Sequence, residues 1–192
     1  MPLTLVQTVA PTEEPLSLDQ IKLQLRLDHD IEDALLYLYL QAAREYVELA
    51  TRRQLLSATY TLSLDDFPAC GMLTIPRPPL QSVTSITYLT TATVTQTLAT
   101  TVYGVDVSSQ PGRVYLKQGQ AWPSVYDQLN AITITYVAGW TTYAQVPNQL
   151  KMAILRLVGH FYEHREVAVE KALSLIPLGI TNLLWSQRVE VL

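Results

Sequence analysis

One short motif has the residue types and spacing of a metal-dependent catalyst. His160, Glu163 and His164 match the H-x-x-E-H pattern of the inverted zincins. On a helix the two histidines lie one turn apart and could share a zinc ion, with the glutamate as base for a bound water. Such a site needs a third protein ligand. The acids that follow are Glu166, Glu170 and Glu190.

We interpret these histidines as polar residues near the end of a helix, where imidazole complements the helix dipole. A zinc-dependent hydrolase built on the motif is the alternative. Other catalytic patterns are absent from the sequence, since there is no G-x-S-x-G motif and the seven glycines never cluster into a phosphate loop. We therefore expect a protein that is not an enzyme, with no metal and no cofactor.

Composition and charge exclude several classes of protein. The chain is 48% hydrophobic, and its net charge of −4 lacks the basic footprint of nucleic-acid binders. No apolar run reaches the length of about 20 residues that a membrane span needs, and no basic signal-peptide segment is visible. The single cysteine, Cys70, fits a reducing compartment, so we expect a cytosolic protein. Charged residues make up only 16%, which is typical of a surface that other subunits cover.

Two helices are predicted between Ser17 and Arg53. Ser17 and Gln20 form a capping box before a short helix, and Leu16 and Ile21 are placed to form a hydrophobic staple. A long helix follows, with apolar residues every three or four positions and a second apolar set beside them. The two sets are Ile31, Leu35, Leu38, Ala42, Tyr46 and Leu49, then Leu36, Leu40, Ala43, Val47 and Ala50. Since they cover so much of the circumference, we expect this helix to be buried on more than one side.

The middle of the chain has the pattern of an antiparallel sheet. Alternating Thr, Val, Ile and Tyr between Ala58 and Val137 predict five to seven short strands. No charged residue lies between Arg77 and Asp106, and nine threonines fall between Thr84 and Thr101. An uncharged ribbon exposed alone would pair with other chains. We therefore expect a neighbouring subunit, rather than this chain itself, to cover it.

These elements predict an α+β fold, a helical bundle that carries an inserted antiparallel β-sheet. The bundle comprises the two N-terminal helices, a third helix after Pro147 and a tail helix. The expected divisions are an extended N-terminal arm at 1–16, a helical core at 17–56 and 146–176, a β insertion at 57–145, and an amphipathic C-terminal tail at 177–192. Trp185 lies in that tail and either folds back on its own domain or anchors in a groove of a partner.

The ordered segments of the chain resemble a known family. They are PLSLDQIKLQLRLDHDIEDALL, AAREYVELATRRQL, LTIPRPPLQSVTSITY, VPNQLKMAILRLVGHFYEHRE and IPLGITNLLWSQRV. From Pro15 to Val189 this order is similar to the head–tail connector (adaptor) proteins of tailed bacteriophages and gene transfer agents. The resemblance implies a structural virion protein, a helical bundle with a β insertion between its second and third helices, and no metal site at residues 162–166. A virion or toxin-like β module with a helical dimerisation hairpin is a further alternative.

The resemblance also implies partners and a location. Members assemble as rings, commonly dodecameric, beneath the portal of a DNA-filled head. We therefore expect a cyclic homo-oligomer in the virion neck, assembled in the host bacterial cytoplasm. Its expected neighbours are the portal protein and a stopper or tail-completion protein, with DNA passing through the lumen without specific binding and with no membrane.

Two sets of residues are expected to make these contacts. A head-to-tail ring needs two different surfaces on each subunit, and we assign them to the long helix and the uncharged ribbon. The expected ring-interface residues are Leu36, Leu40, Val47, Val94 and Leu98. The tail is expected to dock on the portal, with Arg188 as an ion-pairing partner. Its expected anchors are Leu183, Leu184 and Trp185.

Overall fold

The computed structural model describes residues 3–165 and 178–189, and the chain divides into two compact units. Among the described residues the β unit comprises 3–11 and 57–140, and the helical unit comprises 12–56, 141–165 and 178–189. The predicted α+β class, a helical bundle carrying an inserted antiparallel sheet, is confirmed. No helix in the described ranges is both long enough and apolar enough to cross a membrane.

In the described residues the β unit has eight strands, paired antiparallel. They are β1 (Leu3–Val9), β2 (Ala58–Leu64), β3 (Met72–Thr74), β4 (Leu80–Leu89), β5 (Thr95–Thr97), β6 (Tyr103–Asp106), β7 (Arg113–Leu116) and β8 (Ile132–Ala138). One sheet has the order β1-β2-β8-β4-β5, and the other has the order β3-β7-β6. The sequence predicts a single sheet here, but β3, β6 and β7 pair only with one another among the described strands and so form a second one.

The N-terminal segment differs from the predicted extended arm at 1–16. Leu3–Val9 forms β1, which pairs with β2 from Leu3 opposite Leu64 to Val9 opposite Thr59. The run LTLVQTV is rich in residues that favour a pleated, half-buried surface. Its partner strand is distant in sequence, so no local pattern indicates the pairing.

The core of the β unit follows from the alternation of β2 and β8, in which every second side chain is buried. Tyr60 and Tyr136 stack within it, with ring centroids 5.7 Å apart. The Tyr136 hydroxyl donates a hydrogen bond to the Pro76 carbonyl oxygen at 3.0 Å. Burial raises the pKa of Tyr136 above its usual range, so the hydroxyl stays protonated and keeps its role as donor.

One carboxylate closes the loop between β6 and β7. Asp106 accepts hydrogen bonds from the hydroxyls of Ser108 and Ser109. It also accepts one from the Arg113 guanidinium at 2.9 Å. These donors, the serine hydroxyls foremost, hold the pKa of Asp106 well below its usual range. The ionised carboxylate therefore joins the end of β6 to the start of β7.

The helical unit contains α1 (Leu18–Leu25), α2 (Asp33–Thr51), a 3₁₀ turn (Tyr143–Gln145), α3 (Asn148–Glu163) and α4 (Leu178–Trp185). The predicted capping box is confirmed, since the Ser17 hydroxyl accepts from the Gln20 amide at 3.2 Å and the Ser17 amide donates to the Gln20 side chain at 3.0 Å. α1 and α2 end at Arg26 and Arg52, each in a left-handed conformation.

α2 and α3 pack against each other and supply the centre of the helical core. At one end of α2, Glu32 accepts hydrogen bonds from the Tyr162 hydroxyl and from the Arg165 guanidinium. These two donors lower the pKa of Glu32 and keep it ionised. The part of the predicted helical core at 166–176 lies outside the described residues.

Candidate functional site

The residues predicted for the ring interface are mostly core residues of the subunit itself. Leu36, Leu40 and Val47 are buried on the inner side of α2, and Leu98 is buried in the β unit. A side chain already enclosed by its own chain offers no surface to a neighbour, so this part of the prediction is corrected. Val94 is 53% exposed and stays a candidate.

The opposite side of α2 presents an apolar surface instead. Leu38 is 58% exposed and Leu49 is 68% exposed, and Ala42 between them is also exposed. At 3.6 residues per turn these three positions lie within about 40° of one another around the helix axis. We call Leu38, Ala42 and Leu49 the outer row of α2. This row includes residues of the first apolar set in the sequence pattern, whereas the second set supplies the core.

A buried ionic network links α2 to the segments on either side of it in the chain. Arg44 donates from Nε to Glu14 Oε2 at 2.9 Å and from Nη1 to Glu48 Oε2 at 3.1 Å. The second oxygen of Glu48 accepts from the Gln54 side chain at 2.8 Å and from the Leu55 amide at 3.0 Å. The network thus joins the segment before α1, the body of α2 and the segment after it.

The charges of this network depend on one another. Burial raises the pKa of Glu14, and the nearby Arg44 opposes that rise only in part. For Arg44, burial pulls the pKa down, but Glu48 and Glu14 outweigh it and the pKa rises. The guanidinium therefore stays charged, and it is the group that makes two buried carboxylates tolerable. Sequence reasoning missed this network because Arg and Glu on a helix are normally assigned to its solvated side.

The tail helix packs within the helical unit and exposes one large aromatic side chain to solvent. Ile180, Leu184 and Val189 are buried. The backbone is tied down by hydrogen bonds from the Val189 amide to the Thr51 carbonyl at 3.0 Å and from Arg53 Nε to the Gln187 carbonyl at 2.7 Å.

The residues predicted for the portal-docking tail therefore range from buried in their own chain to exposed to solvent. Leu184 belongs to the core of its own chain and is removed from the docking set, and Leu183 is half-buried. Trp185 is 67% exposed, and the Arg188 guanidinium lies over its ring at 5.5 Å from the centroid. Trp185 and Arg188 form an exposed pair that we call the tail knob.

The H-x-x-E-H motif does not assemble a three-ligand site in the described part of the chain. The His160 and His164 rings are adjacent, with centroids 4.7 Å apart. Among the described residues, no group of three His, Cys, Asp or Glu side chains is placed to hold a metal ion. Glu166, Glu170 and Glu190 lie outside those residues.

Both outer edges of the five-stranded sheet are exposed. β5 is exposed over its full length, and in β1 only Leu5 is half-buried. The predicted uncharged ribbon is thus the β4–β5 hairpin at one edge of the sheet, with Val94 next to β5.

Comparison with known proteins agrees with this architecture. Residues 15–106 match the model of the phage gp6-like head-tail connector protein family. No curated protein matches the chain by sequence. The fold matches a chain in the neck of an empty gene transfer agent (GTA) particle computed with C6 symmetry, at a TM-score of 0.81 and 26% identity, covering 98% of this chain and 97% of that one.

Two further solved structures have the same fold. One is a chain in the virion of a native GTA particle, at a TM-score of 0.79 and 25% identity, covering 98% of this chain and 97% of that one. The other is a chain in the neck of a native GTA particle computed with C12 symmetry, at a TM-score of 0.73 and 25% identity, covering 100% and 98% of the two chains. Over residues 15–106 the chain thus resembles the phage gp6-like head-tail connector family, and over almost its whole length it has the fold of chains in gene transfer agent particles.

Proposed function

We propose that this chain is an adaptor subunit that forms a ring in the neck of a virion or gene transfer agent particle, beneath the portal. There it joins the DNA-filled head to the tail and continues the DNA channel. The connector role is proposed from the family match over residues 15–106, and the ring, its position and its contacts are proposed with it. The observation that carries it is the fold shared over almost the whole chain with proteins of symmetric particle necks.

The outer row of α2 is proposed as one surface of the ring contact, and a second copy of the chain is its partner. A cyclic ring joins two different patches of each subunit, so a neighbour covers the row with another part of its surface. Fully burying a leucine side chain contributes about 1.5–3 kcal/mol. Leu38 and Leu49 are more than half exposed, so most of that gain is still available when subunits associate.

The tail knob is proposed as the contact with the portal. Trp and Arg are enriched among residues that dominate binding energy at interfaces. The hydrogen bonds at Val189 and Arg53 hold the backbone around the knob, so little conformational freedom is lost on docking. A stopper or tail-completion protein is proposed on the other side of the ring. DNA is proposed to pass without specific binding, since an acidic subunit repels phosphate.

Electron microscopy of particles in which this protein carries a small label tests the proposal. The expected result is a ring of label between portal and tail. Label on the capsid shell or the tail tube, with an unlabelled neck, would contradict it.

A substitution pair tests the tail contact. Trp185→Ala is expected to leave the ring intact and to weaken its binding to isolated portal at least tenfold, because the exposed indole no longer fills a pocket. Tyr143→Ala is the matched control, because it removes another exposed aromatic side chain of the helical unit. Equal portal binding by both variants and the wild type would remove the knob from this contact.

A further inference from the structure

The five-stranded sheet ends in two strands that are each paired on one side only, as far as the described residues show. β1 pairs with β2, and β5 pairs with β4. The outer side of each strand carries a row of backbone amide and carbonyl groups that can form a ladder with another strand. The sheet therefore has two different edges that can accept a neighbour.

Neither edge has the protection that edge strands of monomeric proteins usually carry, such as lysine or proline. β1 reads LTLVQTV and β5 reads TQT, without a charged residue or a proline in either strand. Leu3, Val6 and Val9 of β1 are exposed, as is Val94 next to β5. Such a pair of strands is typical of surfaces that associate, and the low charge of the chain agrees with it.

The number of strands fixes the relative direction of the two edges. Successive strands of this sheet are antiparallel, so the first and the fifth, β1 and β5, run the same way. In a ring with the C12 symmetry of the related neck, each subunit is turned by about 30° from the next. So small a turn does not reverse a strand, so a β1 that pairs with a neighbour's β5 does so in parallel, within the twist that sheets carry.

We propose that β5 of one subunit pairs in parallel with β1 of the next, so that the sheets of adjacent subunits join edge to edge. The inference rests on the proposed ring and adds its second contact. The two edges differ from each other, which is what a head-to-tail ring requires. β5 is three residues long, and the bulge between Gln7 and Val9 interrupts the far end of β1. The pairing is therefore short and serves mainly to fix the orientation of neighbouring subunits.

Disulfide trapping in assembled particles tests this pairing. In a Cys70→Ser background, Thr97→Cys, which lies on the same face of the sheet as Thr4 and Val6, is combined in turn with Thr4→Cys, Val6→Cys and Thr8→Cys, which together scan the register. A disulfide needs Cβ atoms about 3.5–4.5 Å apart, so only strands that are directly paired react. The matched control combines Val6→Cys with Gln118→Cys, an exposed residue outside both edges.

On a non-reducing denaturing gel, at least one scanned pair is expected to give a series of disulfide-linked adaptor oligomers, and the control is expected to give monomer. Monomer for all pairs, in particles whose neck ring is visible by microscopy, would overturn the edge pairing and leave the ring intact. Particles without an adaptor ring would overturn the proposed function together with the pairing. A second measurement uses charge: Val6→Lys with Thr97→Lys should raise the concentration needed for ring assembly, and Val6→Glu with Thr97→Lys should lower it again. Ring assembly of the double lysine variant at the wild-type concentration would also overturn the pairing.

Discussion

Leu36 and Leu38 are two residues apart on α2 but on opposite sides of it, so truncating each one separates packing within the subunit from packing between subunits. Leu36 is fully buried, and Leu36→Ala should lower the free energy of unfolding by about 2–5 kcal/mol, because it leaves a cavity in the core. Leu38→Ala changes an exposed side chain and should stay within about 0.5 kcal/mol of wild type.

In the ring the order of the two effects should reverse. Leu38 has 58% of its surface left to bury, and that share of the value for a fully buried leucine is at most about 1–1.7 kcal/mol per interface. Each contact should therefore weaken by about 4- to 20-fold. A closed ring has one such contact per subunit, so the concentration needed for assembly should rise clearly.

Two measurements on the same samples decide the matter. Urea unfolding of the unassembled subunit gives stability, and native mass spectrometry over a concentration series gives assembly. The reasoning is refuted if Leu38→Ala destabilises the isolated subunit as much as Leu36→Ala does. It is also refuted if Leu38→Ala and Leu49→Ala both assemble like wild type, because the outer row would then lie outside the interface.

Three further outcomes are expected. Arg44→Ala should lower the free energy of unfolding by about 3–5 kcal/mol, because it leaves buried carboxylates unpaired, whereas Glu45→Ala, at an exposed position, should be nearly neutral in the same denaturant series. Asp106→Asn should lower Tm at pH 7, and the difference from wild type should begin to shrink below about pH 4 and keep shrinking as the pH falls further. The sign follows from the lowered pKa of Asp106, which contributes stability above the unfolded carboxyl pKa and loses it as the pH falls through the folded value. His160→Ala should leave the zinc content of purified protein unchanged, as measured by elemental analysis.

Each of these outcomes can fail in a specific way. If the Tm difference for Asp106→Asn is constant from pH 7 to low pH, the destabilisation comes from the changed side-chain geometry and not from the lost carboxylate charge. An Arg44→Ala variant as stable as wild type would mean that the carboxylates reach solvent. Stoichiometric zinc that disappears in His160→Ala would revive the hydrolase alternative.

The helices were largely predictable from local patterns, because their signals lie within a few residues of one another. Ser17 and Gln20 form the capping box that their spacing predicts, and Leu150, Ile154 and Leu157, which recur at the helical period, are buried on α3. The inner side of α2 was not predictable in the same way, since both of its sides are apolar. The buried charged residues Arg44 and Glu48 made it harder to predict which side of α2 faces the core. Charge patterning assigns such residues to the solvent-exposed side.

The β unit shows where local patterns stop being informative. Alternation correctly indicates strands such as β2 and β8, whose pairing with each other is regular over their whole length. It does not indicate that β3, β6 and β7 leave the main sheet, or that β1 joins it from the far end of the chain. Those choices depend on pairing between distant segments, and a sequence of Thr and Val is equally compatible with several partners.

The outer row of α2 and the two edge strands of the five-stranded sheet are apolar or uncharged rather than ionic, and this bears on how the proposed connector would work. Contacts made by leucine, tryptophan and backbone amides depend little on ionic strength, whereas contacts between exposed charges weaken with salt. A neck that stays closed around densely packed DNA, with its counterions, gains from contacts of the first kind. The net negative charge of the subunit would at the same time repel phosphate. The low charge content that first suggested a covered surface thus supports both proposed tasks, holding neighbours and letting DNA pass.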